Sequence, residues 1–208
     1  RTGAPYPGFG ADVLARAVSA AGLDGQSGME GQVFFLGEHD GKLAVGGWFE
    51  TAGGLPAKNI AFWDGDRWTA LEGGPDGLVR TLYDDYPYLY VGGEFTTVNG
   101  EDQRGFACYD GSPGGGGWLT SRGSPGGFTT AFITYNMHLY AVGTLLTPEY
   151  EGAALAWHDW EGWHHDLLGW PSYADIHDVQ IWNSSLYLGS DLGLMRWSEE
   201  DSWTYAVN

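Results

Sequence analysis

Basic side chains are scarce in this chain. Nine Lys plus Arg stand against 27 Asp plus Glu, for a formal charge of −18, and the only lysines are Lys42 and Lys58. A nucleic-acid binder displaces counterions with basic residues, so DNA and RNA are excluded as expected partners. Anionic membrane surfaces are excluded by the same sign argument. Cysteine is almost missing as well. A single Cys108 allows no intramolecular disulfide and no cysteine zinc site. In Phe106-Ala107-Cys108-Tyr109 it reads as a small buried hydrophobe. No apolar run approaches the about 20 residues that span a bilayer, so membrane insertion is not expected. No secretory signal is visible, and the start at Arg1 suggests a processed or trimmed chain. Catalytic signatures are missing too: there is no Gly-x-Ser-x-Gly elbow, no HExxH and no phosphate loop.

Glycine-free stretches are few, because 35 of the 208 residues are Gly. Long helices are therefore disfavoured. Yet the chain holds 11 Trp, 12 Tyr and 9 Phe, far too many aromatics for a disordered segment. An all-β protein of short strands and tight turns satisfies both facts.

Internal repetition supplies the architecture. The first unit runs Val33-Phe34-Phe35-Leu36, Lys42 to Phe49, Ile60 to Gly65 and Trp68 to Leu71. The second runs Val79-Arg80-Thr81-Leu82, Tyr88 to Phe95, Phe106 to Gly111 and Trp118 to Thr120. The third runs Thr130-Ala131-Phe132-Ile133, His138 to Gly143, Leu155 to Asp159 and Trp163 to Leu167. The fourth runs Ile176-His177-Asp178-Val179, Ser185 to Ser190, Leu194 to Trp197 and Trp203 to Tyr205. Leu43, Leu89, Leu139 and Leu186 anchor the units at spacings of 46, 50 and 47 residues. Four strands per unit at that period predict a β-propeller of four blades, with approximate bounds 33–78, 79–128, 129–175 and 176–208. Asp40-Gly41, Pro87 and Asn183-Ser184 fall where the first hairpin of a unit must turn, and Asp64-Gly65 and Asp110-Gly111 where the last one must. Residues 1–32 form an arm. Its stretch 11–21 predicts a short helix, with Val13, Leu14 and Val18 on one face in need of a surface on this propeller or a neighbour's. The connector-like Leu23-Asp24-Gly25 leaves two outcomes open: four units close a ring, or they form an arc that needs further blades or chains.

Leu89-Tyr90-Val91-Gly92-Gly93-Glu94-Phe95-Thr96 with Tyr109-Asp110-Gly111, and Val45 to Thr51 with Trp63-Asp64-Gly65-Asp66-Arg67-Trp68, resemble the LYVGGxFT…WDGxxW repeats. Those repeats belong to kelch-like, galactose-oxidase-central-domain-like propellers of secreted and cell-surface proteins, including the fungal cortical-marker type. The resemblance covers about 33–208 and weakens in the last two units, where Gly143-Thr144 and Gly189-Ser190 replace the paired glycines. It implies a propeller scaffold and an extracellular or cell-surface location. It implies no activity, since function is grafted onto a scaffold.

Aromatics in phase with the repeat read as packing between blades: Trp63, Tyr109, Trp157 and Trp197 at one position, Trp68, Trp118, Trp163 and Trp203 at another. Aromatics out of phase are the better binding candidates, namely Trp48, Trp160, Trp170, Trp182, Tyr83, Tyr86 and Tyr173. Trp160 between Asp159 and Glu161 makes a carbohydrate platform of stacking face and carboxylates, and Trp48 and Trp182 add to the candidate ligand-binding set. His164 and His165 would face opposite sides of a strand, so no metal site is expected from them. Asp64, Asp66, Asp84 and Asp85 read as turn acids rather than calcium ligands. Gly114 to Gly117 read as a hairpin tip. Asn183-Ser184-Ser185 is a glycosylation sequon. No catalytic residues and no cofactor are expected. The reading is a non-catalytic extracellular propeller acting in binding or in surface or filament assembly, with a protein partner or self-association. A glycan-binding lectin and a carboxylate-dependent glycan-active enzyme are the alternatives, and 27 acids keep the second open.

Overall fold

The structure is a computed structural model and describes residues 29–113, 116–146, 152–159, 161–166, 176–198 and 202–205. The expected helix over 11–21, the rest of the arm to residue 28, Gly114, Gly115, Trp160, Trp170 and Tyr173 lie outside them. The described chain is all-β. A single 3-10 turn at Thr120–Arg122 is the only helical piece among the described residues, and none of their helices is long and apolar enough to cross a membrane.

Four antiparallel meanders follow one another. Sheet I holds β1 (Glu30–His39), β2 (Lys42–Ala52), β4 (Ile60–Trp63) and β5 (Trp68–Ala70), with β3 (Leu55–Pro56) added to β2. Sheet II holds β6 (Leu78–Asp85), β7 (Tyr88–Glu94), β10 (Phe106–Asp110) and β11 (Gly117–Leu119), and β8 (Thr97–Val98) and β9 (Glu101–Asp102) form a small separate hairpin. Sheet III is β12 (Phe128–Tyr135), β13 (His138–Leu146), β14 (Gly152–His158) and β15 (Trp163–Asp166). Sheet IV is β16 (Ile176–Trp182), β17 (Ser185–Ser190), β18 (Gly193–Ser198) and β19 (Ser202–Tyr205).

The first strands of successive sheets pack on one another: β6 lies against β1 and β2, β12 against β6 and β7, and β16 against β12 and β13. Among the described residues no strand of sheet I packs extensively on a strand of sheet IV. Alternation along each strand splits the apolar residues between two faces. Ala44, Ile60 and Phe62 of sheet I meet Val79, Leu82, Leu89, Val91 and Ala107 of sheet II. Tyr90, Phe106 and Cys108 on its other face meet Phe132 and Ala141 of sheet III. Tyr140, Val142 and Leu155 meet Ile176, Val179, Leu186, Leu188 and Met195 of sheet IV. Leu43, Val45, Ala61, Trp63 and Trp68 form the remaining, outward cluster of sheet I and are buried. A polar tie crosses the first of these interfaces: buried His39 meets Asp84 through Nδ1 and Oδ1 at 2.5 Å.

The ladder corrects the alignment of the third unit. Leu43 pairs with Trp63, Leu89 with Tyr109 and Leu186 with Trp197, but Leu139 pairs with His158. His158 also lies opposite Trp163, as Trp63 does opposite Trp68 and Tyr109 opposite Trp118. Ring centroids in these three pairs are 5.2, 5.2 and 5.4 Å apart. Trp157 is therefore out of phase. A one-residue slip sends it to the other face, against sheet IV. Trp63 and Trp68 are buried, while Tyr109, Trp118, Trp157, Trp163 and Trp197 are half-buried.

The first strands shift by the same residue, so Thr129-Thr130-Ala131-Phe132 is the true counterpart of Val79-Arg80-Thr81-Leu82. The split of the paired glycines then has a cause. At the second position a Cβ would sit 2.0 Å from the Gln32 carbonyl oxygen at Gly47, 2.0 Å from that of Leu78 at Gly93 and 2.1 Å from that of Phe128 at Gly143. At the first position the constraint comes from the next sheet: a Cβ on Gly46 would meet Val79 at 2.6 Å, and one on Gly92 would meet Thr129 at 2.8 Å.

Candidate functional site

Each sheet carries a bulge at the same place in its first strand. Val33 faces Gly47 and Phe35 faces Gly46, which leaves Phe34 without an opposite residue. By the same register shift Arg80 is left over between Val79 and Thr81, Thr130 between Thr129 and Ala131, and His177 between Ile176 and Asp178. A bulge bends the strand and re-aims its extra side chain. Repeated in every unit, it sets Phe34, Arg80, Thr130 and His177 at equivalent points of four adjacent strands.

Three of these four side chains meet in one place. Arg80, Thr130 and His177 line a cavity of about 330 Å³ together with Glu94, Phe128, Thr144 and Ile176. The cavity thus draws on sheets II, III and IV. Its other residues are also set by register. Glu94 faces Leu78 and Thr144 faces Phe128, each one step beyond the second glycine position of its unit. Arg80 Nε donates to Glu94 Oε1 at 2.5 Å and its terminal nitrogen reaches the same oxygen. Both side chains are half exposed, so this pair contributes little to stability. The guanidinium lies 5.9 Å from the ring centre of Phe34, which brings the bulged residue of sheet I to the edge of the site.

The residues singled out from sequence scatter. Trp48 faces Gln32 and so occupies in sheet I the register position of Glu94 and Thr144; it is 59% exposed. Trp182 ends β16, at the opposite end of that strand from His177; it is 67% exposed and its ring stands at 5.8 Å from Tyr187. Asp159 and Glu161 sit in the turn between β14 and β15, and Trp160 lies outside the described residues. The Asp159 carboxylate accepts from the backbone N–H of Glu161 at 2.7 Å and of Gly162 at 3.0 Å, and its second oxygen meets His164 Nε2 at 3.0 Å. Asp64 accepts from the N–H of Asp66 and Arg67 in the same turn of sheet I, and Asp110 from that of Ser112 in sheet II. Asp159 thus closes a hairpin. Desolvation works against its ionised form, but the Glu161 N–H and its partners prevail and hold the carboxyl below the usual carboxylate value. The Asp66 N–H acts likewise on Asp64, and the Ser112 hydroxyl on Asp110. Among the described residues no three His, Cys, Asp or Glu side chains are placed to share a metal ion.

The two neighbouring histidines take opposite sides of β15. His164 stacks on Trp157 at 4.2 Å, and His165 Nε2 donates to the Pro125 carbonyl at 2.6 Å. Burial holds Cys108 unreactive, with its thiol pushed up to about 11.

None of the cavity-lining residues was among the ligand-binding candidates read from the sequence, and Trp48 shares only a register position with two of them. After Val33, Val79, Thr129 and Ile176 the residue changes from Phe to Arg to Thr to His, but the next position changes as much, from Phe35 to Thr81 to Ala131 to Asp178, so nothing in the string marked the bulge. No protein-family model matches the chain, and no curated protein is detectably similar to it.

Proposed function

We propose that the chain is a non-catalytic β-propeller-type binding protein, of the secreted or cell-surface kind that its repeats resemble, and that its ligand site is the cavity between the bulged first strands. Four successive four-stranded meanders, packed through their first strands, support the propeller architecture. The observation that carries the binding site is the convergence of Arg80, Thr130 and His177, chemically unlike residues at one repeat position, on a single cavity. Arg80 and His177 are exposed and Thr130 is half-buried, so packing between the sheets does not account for the three polar side chains. The cavity's carboxylate, Glu94, is engaged by Arg80 rather than set against a second acid, which favours binding over glycoside hydrolysis. Thermal melting against a panel of small polar compounds tests the site. Compounds that raise the melting temperature of the wild type should lose that effect in Thr130→Trp, which fills the cavity. Equal stabilisation of both proteins moves the site elsewhere.

Self-association is the second reading, favoured by one observation. Val33 is 45% exposed and Leu36 49% exposed in β1, whereas their counterparts Val79, Leu82, Phe132, Ile176 and Val179 are buried beneath the preceding sheet. An apolar strip bare at one end of the array fits a second copy of the chain. Sedimentation across a concentration series should show a dimer or larger species that Val33→Asp abolishes. A monomer at every concentration rejects this reading.

A further inference from the structure

We propose that the cavity between the first strands takes a neutral small saccharide, with a sugar face on Phe128 and sugar hydroxyls on the Arg80–Glu94 pair and Thr130. This rests on the reading of that cavity as the binding site. Charge narrows the ligand first. The lining offers one guanidinium and one carboxylate, already joined at 2.5 Å, beside the imidazole of His177, so with that ring neutral it presents no net excess of either sign. A chain of formal charge −18 repels anions at long range. A cation would find its carboxylate held by Arg80. A purely apolar ligand would strip water from an ion pair and return no hydrogen bond, which is costly.

A hydroxyl-rich neutral ligand escapes all three objections. Each hydroxyl both donates and accepts, so adjacent hydroxyls can donate to Glu94 and accept from Arg80 without breaking the pair. The Thr130 side chain offers a further hydroxyl of the same double character. The C–H face of a sugar ring carries partial positive charge that suits the negative face of an aromatic ring. Phe128 supplies that face inside the lining and is exposed, as are Phe34 beside Arg80 and Trp48 in the register position of Glu94. The volume, about 330 Å³, lies at the small end of ligand pockets, which fits a short saccharide rather than a long chain fully enclosed.

Saturation-transfer NMR and calorimetry on the full chain decide the matter. The probes are cellobiose, maltose, lactose and chitobiose, with glucuronic acid, inorganic phosphate and free arginine as charged controls. At least one neutral disaccharide should bind. Arg80→Ala and Phe128→Ala should weaken it by about tenfold or more, with Glu94→Gln as the variant that keeps the side-chain shape. Trp182→Ala, at the far end of β16, should leave it unchanged. Folding of each variant is checked by its melting temperature. Binding of glucuronic acid or phosphate alone, lost in Arg80→Ala, overturns the saccharide and keeps the site. Disaccharide binding that survives all three cavity variants overturns the site. No binding of any probe overturns both.

Discussion

Among the described residues, the two middle sheets and the two outer sheets are built alike and live under different constraints. Sheets II and III have a sheet on each face, and their inner positions, Val79, Leu82, Thr129 and Phe132, are all buried. Sheet I keeps the same residue types at Val33 and Leu36 but leaves them about half exposed, although Leu43, Val45, Trp63 and Trp68 on the same face are buried. Sheet IV differs on its outward face. Arg196 stands where sheets I to III have Phe62, Cys108 and Trp157, and Gln180 stands where sheets II and III have Tyr83 and Ile133. A Cβ placed on Gly189 would meet nothing within 4 Å, although its counterparts Gly46 and Gly92 each seat a side chain of the next sheet. The meander is therefore a constant. What varies along the array, and what sets the cost of a change, is whether another sheet covers the face.

The largest test of that comparison is a buried aromatic in the middle against an exposed one at the end. Phe106 stacks on Tyr90 at 6.0 Å and meets Phe132 and Trp163 edge-on at 5.9 and 4.8 Å. Phe106→Ala should cost about 3–5 kcal/mol in urea unfolding. Trp182→Ala, of the larger side chain, should cost about 0.5 kcal/mol or less. Similar losses for the two would show that coverage does not govern the energetics.

Glycine gives a sharper version with the smallest possible change. Gly92→Ala drives a methyl onto Thr81, Phe132 and Thr129 at 2.7 to 2.8 Å, and overpacking of that kind costs about 1–3 kcal/mol. Gly189→Ala enters open space and should be neutral or stabilise by about 0.4–1 kcal/mol through the unfolded chain. A strongly destabilised Gly189→Ala would mean that sheet IV is covered after all.

How far the sequence could be read follows the same division. Period, strand number and hairpin positions were legible, because Asp, Asn and Gly at tight turns report local backbone geometry. Register was not. Trp157 and His158 are adjacent, both can stand in a strand, and aligning on tryptophan chose the wrong one. The bulges left no local trace either, since an unpaired residue in a strand has no characteristic composition. As a result the cavity residues Arg80, Thr130 and His177 stayed hidden, while the part that Asp159 plays in closing its hairpin went unread. A tryptophan flanked by two acids is the same string whether the first acid holds a ligand or closes a hairpin.

Acid separates the sheets more gently. Asp64, Asp110 and Asp159 close the last hairpins of sheets I to III, and Ser198 takes that place in sheet IV. All three carboxyls are held below the ordinary value in the fold. The stability they add is present above the unfolded-state value of about 3.9 and is lost as pH falls through the lower folded values. Hydrogen exchange followed from neutrality to below about pH 4 should show these three hairpins loosening before that of sheet IV. The triple Asp64→Asn, Asp110→Asn, Asp159→Asn variant should flatten the pH dependence of melting. Equal loosening of all four hairpins would place the acid-sensitive groups elsewhere.

The smallest effect should ignore the middle-versus-end division altogether. The first hairpin of sheet I turns on Asp40 and Gly41 with φ of 51° and 71°, a pair suited to a turn in which both central residues have positive φ. Sheet III makes that turn with Asn136 and Met137 at 46° and 64°, and sheet IV with Asn183 and Ser184 at 48° and 59°. Met137 and Ser184 carry a Cβ where glycine is at ease, and Met137 is 97% exposed, so its side chain gains nothing from packing. Met137→Gly relieves the backbone but adds freedom to the unfolded chain, and the balance at a positive φ should favour the variant by about 0.5 kcal/mol. Ser184→Gly should give a gain of similar size, since the neighbouring Tyr135 hydroxyl donates to the Ser184 backbone carbonyl, which glycine keeps. Matching shifts in the two urea midpoints would confine the difference between middle and end sheets to their faces. A gain in sheet III with none in sheet IV would show that coverage reaches the hairpin turns as well.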